Sequence, residues 1–408
     1  MLNYAITDQT QTSYIMMVAA TKVALLVETS RGYGRGLLRG IMKYSRLHGP
    51  WQFHLTPGDF EQTVPRIKDW RGDGIIARVI NKQTANLLLK TGLPLVVLDL
   101  PGKIAVTFQQ RGVPFVEMTS DSEGATQLAA EHLLKKQFCH FAFAGYRGQV
   151  WSDKREKIFI DRMSQEGHDV HLYRMPARQS IPLRWEKEET ILTKWLKTLP
   201  KPIGLMACND QRGREVLDAC KLAEIAVPEE IAVIGVDNDE LLCGLSFPPL
   251  SSVALNSVQG GYLAAMALHE MMRKIPLTNK KIIVPSLHVV ERRSTESLAI
   301  GDPDVVTALQ FIYTQSPAEL TIDNVAKSTC VSRRILEVRF RKLLGSTILQ
   351  EIQKVRVERA KRLLIETDYS IERIAEIVGF ATGSYFVQFF RSELGITPLK
   401  FRKGTRMG

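Results

Sequence analysis

SIERIAEIVGFATGSYFVQFFRSELGITPLKFRK, residues Ser370–Lys403, is the stretch whose reading decides the C-terminal fold. Ile371, Ile374, Ala375 and Val378 recur at helical spacing behind Ser370, a residue type that caps helix N-termini. Gly379 stands where a helix C-terminus wants a left-handed residue. Thr382 then caps a second pattern whose stripe is Phe386, Phe389, Phe390 and Leu394, with Gly395 and Pro398 as its stop signals. Helix, short glycine-bearing turn, helix is the grammar of a helix-turn-helix unit. At about 100° per residue, Ser384, Val387, Gln388 and Arg391 fall opposite the phenylalanines, on a face suited to the DNA major groove.

The chain carries a second copy. Thr321 caps Ile322, Val325 and Ala326; Cys330–Val331 forms the turn; Ser332 caps a helix with Leu336, Phe340 and Leu343 inward, and Gly345 ends it. The first helices match at an offset of 49. Leu336, Phe340, Arg341, Gly345 and Thr347 match Phe386, Phe390, Arg391, Gly395 and Thr397 at an offset of 50. The outward face of this copy is Arg334, Glu337, Val338 and Arg341. Between the copies, Ile348–Thr367 reads as one helix of about 30 Å, close to the ~34 Å between successive major grooves on one side of a duplex. A plain helical bundle with an internal duplication is the competing reading, but it has no need of exposed Arg, Gln and Ser at matched positions. Arg356 and Arg359 lie towards the apolar arc of the spacer and read as structural, with carboxylate partners.

VSRRILEVRFRKLLG, RAKRLLIETDYSIERIAEIVGF and SYFVQFFRSELGITPLKFRK resemble the AraC-type DNA-binding domain over about 100 residues. The resemblance implies base contacts from Arg334, Glu337 and Val338 in the first unit and from Gly383, Ser384 and Gln388 in the second. Arg333, Arg341, Thr382 and Arg391 complete the expected DNA face. Val338 and Gly383 offer no hydrogen-bonding side chain, and Val338 suits a thymine methyl.

Charge agrees with a polyanionic partner. Residues 302–408 hold 17 Lys/Arg against 12 Asp/Glu, almost half of the chain's net +11 in about a quarter of its length. The five cysteines show no metal-ligand spacing, and His168 and His171 have no partner to complete a site, so neither a metal nor another cofactor is expected. No apolar run approaches the ~18 residues of a membrane span. Residues 1–21 lack the pattern of a signal peptide and read as a flexible extension, with the protein expected in the cytoplasm.

From Lys22 to Arg293 short apolar runs alternate with helical segments, which implies mainly parallel sheets covered by helices. About ten candidate strands exceed one doubly wound unit and predict two lobes with a ligand cleft between them. Residues 22–293 are thus expected as a two-lobed α/β domain, 294–303 as a linker and 304–408 as an all-α domain with two helix-turn-helix motifs. ACNDQRGREVLDAC, AVPEEIAVIGVDNDE and PPLSSVALNSVQGGYLAAMAL resemble the LacI/GalR-type sugar-responsive core, which shares the periplasmic-binding-protein fold.

Asn209, Asp210, Asp237 and Asp99 follow strands, and Arg155 opens a helix past another, so all sit at predicted strand ends. A sugar wants carboxylates, amides and guanidinium groups at its hydroxyls and an aromatic plate for its C–H face; Trp151 and Tyr33 are the plates expected. The LacI-type resemblance implies that Arg155, Asn209 and Asp237 hold the sugar; helix capping or an ion pair is the structural alternative for each. Glu28–Gly40 (ETSRGYGRGLLRG) departs from the G-x-G-x-x-G dinucleotide fingerprint, and Ser30, Arg31 and Tyr33 are expected in a sugar-contacting loop instead. The order of domains, with IKDWRGDGIIA, IGVDNDEL and IVPSLHVVERRST, resembles regulators of pentose operons. That resemblance implies D-xylose or another pentose as effector, double-stranded operator DNA as target, a homodimer, and RNA polymerase as partner of an activator. A nicotinamide-dependent sugar oxidoreductase and a DNA-binding protein without a sugar are the alternatives; no nucleophile is paired with an oriented base.

Overall fold

The computed structural model describes residues 20–55, 70–79, 81–136, 138–174, 185–277, 279–296, 302–315 and 320–406. Two compact units emerge, residues 1–121 with 256–285 and residues 122–255 with 286–408.

The first unit is built on β1 (Thr21–Leu26), β2 (Trp51–Leu55), β3 (Gly74–Arg78), β4 (Leu95–Leu98), β5 (Phe115–Ser120) and, from far along the chain, β11 (Lys281–Val284), in the order β11-β5-β4-β3-β1-β2 and parallel throughout. The second uses β6 (His140–Ala144), β7 (Val170–Leu172), β8 (Ile203–Ala207), β9 (Ile231–Asp237), β10 (Ser251–Leu255) and β12 (Ser286–Val290), in the order β12-β10-β9-β8-β6-β7, with β12 alone antiparallel. Strands buried on both faces must be apolar throughout, as LVVL of β4 and IGLMA of β8 are. In the first unit the helices are α1 (Gly32–His48), α2 (Lys82–Lys90), α3 (Gly102–Arg111) and α9 (Ser257–Met272); in the second, α4 (Ser122–Lys135), α5 (Val150–Gln165), α6 (Trp185–Thr198), α7 (Asp210–Leu222) and α8 (Glu240–Leu245).

The glycine-rich stretch Gly32–Gly40 acquires a plain cause. A Cβ on Gly40 would meet the Val258 carbonyl of α9, and one on Gly261 would meet the Leu37 carbonyl of α1, each at 2.0 Å. These glycines let two helix backbones pass at contact distance.

The helical part of the second unit holds α10 (Pro303–Thr314), α11 (Ile322–Lys327), α12 (Arg333–Leu344), α13 (Ile348–Glu366), α14 (Ile371–Ile377), α15 (Gly383–Leu394) and α16 (Pro398–Arg406). Thr321, Ser332, Ser370 and Thr382 each accept a hydrogen bond from the backbone N–H three residues on, the capping expected of them. Gly345 and Gly395 close α12 and α15 in the left-handed conformation. Two separate cores result. Ile348, Ile352 and Val355 of α13 join Leu336 and Phe340 in the first; Val357, Ala360 and Leu364 join Phe386 and Phe390 in the second.

Several boundaries move. Pro398 opens α16 rather than only stopping α15, since proline suits a first helical turn. The apolar run Ile282–Val290 is broken at Pro285 and serves both sheets. The expected linker 294–303 begins too early: Ser294 and Thr295 are wholly buried, Ser294 Oγ donating to the Val233 carbonyl. Residues 297–301 and most of the expected N-terminal extension, 1–19, lie outside the described residues, while Thr21 already belongs to β1. Arg356 and Arg359 each donate to a backbone carbonyl, those of Leu320 and Gln315.

Gly261→Ala should lower stability by about 1–3 kcal/mol through overpacking, read as a lower denaturation midpoint. Gly244→Ala in α8, with nothing within 4 Å of the added carbon, should not. Equal midpoints would remove the close-packing account.

Candidate functional site

In the second unit the expected residues gather at strand ends. Asn209 stands two residues past the end of β8 and caps α7, its Oδ1 accepting from the Arg212 N–H at 3.0 Å. The capping role therefore occupies the oxygen and leaves the amide nitrogen as a donor. Arg155 is 2% exposed; α5 starts five residues before the helix expected from sequence, so Arg155 lies in its second turn, under the Trp151 ring at 5.5 Å. Its guanidinium donates to the Cys208 carbonyl, which brings α5 to the end of β8. Trp151, 8% exposed, is thus the back of the cluster more than an open plate.

Asp237 ends β9 with φ 111°, and Asn238 follows at φ 50°. Two successive non-glycine residues in that region are costly and persist only where the surroundings enforce them. Asp210 is the enforcer. It is 1% exposed, accepts from the Asp239 N–H at 2.6 Å on one oxygen and from the Ser252 hydroxyl at 2.5 Å on the other. Ser252 in turn accepts from the Asn238 N–H at 3.0 Å, and Arg292 Nη2 donates to Asn238 Oδ1 at 2.8 Å. Burial, and then the neighbouring Asp237 carboxylate, push the Asp210 carboxyl well above the usual range, against the hydrogen bonds from Ser252, Asp239 and Cys243. Sequence reasoning did not single out Ser252, Asn238 or Arg292. Ser252 stands in β10, a strand it missed, and only the Asn-Asp pair after an apolar run hints at the turn.

The first unit has its own strand-end cluster. Arg78, at the end of β3, lies between Glu28 beyond β1 and Asp99 beyond β4, pairing with Glu28 at 2.7 Å and Asp99 at 2.5 Å. All three side chains are less than a tenth exposed. Asp99 has φ 46° and also accepts from the Thr119 hydroxyl. Tyr33 is buried with its ring 6.0 Å from the Arg78 guanidinium carbon. Ser30 is exposed, its carbonyl accepting from Arg35, and Arg31 occupies the N-cap position of α1 without capping it. A buried ion-pair triad adds little to stability on its own. Its carriers, Glu28 and Arg78, were missed because each is an ordinary charged residue until three strand ends bring them together.

The face expected to meet DNA repeats at an offset of 50. Arg334, Val338 and Arg341 on α12, and Ser384, Gln388 and Arg391 on α15, are all exposed at i, i+4 and i+7. Leu336 and Phe340, like Phe386 and Phe390, are wholly buried opposite them. Val338 keeps 60% of its surface open on this face. Arg333 is tied to Asp323 at 2.9 Å and to Glu337 at 3.0 Å, so Glu337 is held in place by a neighbour. Thr382 serves as cap, and Gly383 opens α15 where a Cβ would press on the Glu372 side chain at 3.3 Å.

Residues 22–116 match the XylR N-terminal domain, 130–295 a periplasmic binding protein-like domain, and 325–404 a helix-turn-helix domain. The xylose operon regulatory protein of Escherichia coli K12 is 32% identical over 95% of this chain and 98% of its own length. The protein of the same name from Haemophilus influenzae is 32% identical over 93% and 98%. A solved structure of the xylose-binding transcription activator xylR is similar with a TM-score of 0.80 at 31% identity, covering 95% of this chain and 99% of that one. A ribose-bound LacI family regulator from Enterococcus faecalis, at 22% identity and a TM-score of 0.53 over 69% of this chain, shares the α/β fold. The chain therefore belongs to the family of xylose operon regulatory proteins, DNA-binding transcriptional regulators that join a periplasmic-binding-protein-like α/β domain to an AraC-type helical domain.

Proposed function

We propose that this protein is a D-xylose-responsive activator that binds operator DNA through α12 and α15, as a homodimer that recruits RNA polymerase. The observation that carries the reading is the strand-end cluster of Arg155, Asn209 and Asp237, one guanidinium, one amide and one carboxylate. That is the set a ring of sugar hydroxyls requires. Asp210 is in this reading a positioning residue: both of its oxygens are engaged within the protein, and it holds the turn that carries Asp237. Asp99, Ser30, Arg31 and Tyr33 lie in the first unit, where Asp99 is fixed by Arg78. At the DNA, Arg334 suits guanine, Gln388 adenine, Glu337 cytosine and Val338 a thymine methyl.

Losing a hydroxyl partner leaves a buried polar group unpaired, at about 1–3 kcal/mol. Asp237→Ala should therefore lose the rise in melting temperature that D-xylose gives the wild type, while still melting cooperatively. An undiminished rise removes Asp237 from the site.

Asp210 generates a pH signature. A carboxyl whose folded pKa is raised contributes stability below the ordinary carboxylate range, ~3.9 for aspartate, and that contribution is lost as pH rises through the raised value. Asp210→Asn should consequently lose less melting temperature than wild type between pH 5 and pH 8. Parallel pH profiles would show that Asp210 is not the source.

Arg334→Ala and Gln388→Ala should each weaken operator binding by about 1–3 kcal/mol and leave binding to unrelated duplex nearly unchanged. Equal losses on both DNAs would make these phosphate contacts rather than base contacts.

A further inference from the structure

Arg292 and Arg293 are adjacent in sequence and face different parts of the molecule. Arg292 belongs to the ligand side. Its Nη2 donates to Asn238 Oδ1 and its Nη1 to the Leu250 carbonyl at 3.0 Å, while its backbone N–H and carbonyl both bond the Ser251 hydroxyl at 2.8 Å. It therefore grips the same turn that presents Asp237.

Arg293 belongs to the reading side. Its Nη2 pairs with the buried Glu229 at 3.0 Å, in the turn that leads into β9. Its guanidinium lies 3.1 Å from the centre of the Tyr313 ring, a close cation–π stack onto α10. The Tyr313 hydroxyl donates to Glu351 Oε2 at 3.0 Å. The other Glu351 oxygen accepts from Ser346 at 2.7 Å and from Lys354 at 2.8 Å. Ser346 sits in the turn between α12 and α13, directly after the glycine that closes the first reading helix. Burial alone would raise the Glu351 carboxyl, but the bonds from Lys354, Ser346 and Tyr313 hold it below its ordinary range. Ser294 and Thr295, wholly buried beside β9 and β10, fix the backbone just after Arg293.

A continuous path of short polar contacts thus runs from the Asp237–Asp239 turn through Arg292 and Arg293 to Tyr313, Glu351 and the end of α12. Among the described residues the buried Arg293 Nε finds no hydrogen-bond partner, so the stack is not locked by a complete set of bonds. Resting on the ligand assignment above, we propose that the Arg293–Tyr313 stack is the docking contact by which the α/β half positions the first helix-turn-helix unit, transmitting sugar occupancy at Asp237 to α12. The sugar needs only to favour one arrangement of the turn, and the stack passes that preference on. Linkage of this kind commonly amounts to about 5- to 150-fold in affinity.

The test measures operator affinity of the full chain with and without saturating D-xylose, in wild type, Tyr313→Leu and Tyr313→Phe. The leucine variant removes ring and hydroxyl; the phenylalanine variant keeps the stack and the core filled, losing only the bond to Glu351. Wild type should show a sugar-dependent ratio of about fivefold or more. Tyr313→Leu should bring the ratio to less than about twofold, and Tyr313→Phe should at least halve it, with D-xylose affinity in the absence of DNA unchanged in both. A purely structural role would weaken operator binding alike with and without sugar, leaving the ratio intact. A wild-type ratio preserved in every variant that folds overturns the docking proposal and leaves the sugar reading standing. No ratio in wild type overturns both. Should Tyr313→Leu fail to fold, Tyr313→Phe decides.

Discussion

Asp210 accepts one hydrogen bond from the Asp239 N–H of the turn after β9 and one from the Ser252 hydroxyl of β10, and so ties to the sheet a turn that would not otherwise hold two left-handed residues in succession. Without that grip the chain after β9 would relax towards extended backbone. The carboxyl is wholly enclosed, which is a poor place for a charge, and its burial raises the pKa accordingly. In the proposed site one acid, Asp210, is the scaffold, and Asp237, two residues earlier than the bonded Asp239 N–H, is the group offered to the sugar. The same turn is held from the other side by Arg292, so ligand geometry and the exit of the α/β chain towards the helical domain share one support.

The helical domain depends on a different economy. Its two reading units are too small to bury a core alone, and each borrows half of α13. α10 completes the first core with Val305, Ala308 and Ile312; in the second, Phe401 of α16 packs edge-on against Phe390. Arg339, bridging Asp302 and Asp304, ties α12 to the start of α10. Outward positions are consequently free to carry chemistry instead of packing.

The helical domain was largely legible in the sequence because its signals are local. Caps, glycine stops and a 3.6-residue stripe act within a few residues, and four predicted caps form the predicted bonds. The parallel sheets were legible as short apolar runs alternating with helical segments. What escaped was non-local. β10 is five residues, two of them serine, and is a strand only because β9 and β12 flank it. The fate of Ile282–Val290 depends on Pro285 and on two sheets competing for one run. Strand-end candidates could be placed by sequence, but the division between presented and scaffolding acids could not, since Asp210 and Asp237 differ only in which partners the fold brings within reach.

The single unbroken α13 also acts as a ruler. Each added residue would turn α15 by about 100° and carry it 1.5 Å along the axis, rotating its face out of phase with that of α12. A whole extra turn restores the phase but adds about 5.4 Å, against 3.4 Å per base pair, so the two recognition surfaces would again fall out of step with the grooves. Spacing is therefore closed to gradual change. Exposed side chains on α12 and α15, such as Val338 and Gln388, can be exchanged with both cores untouched, which leaves them, and not the spacing, as the positions open to change.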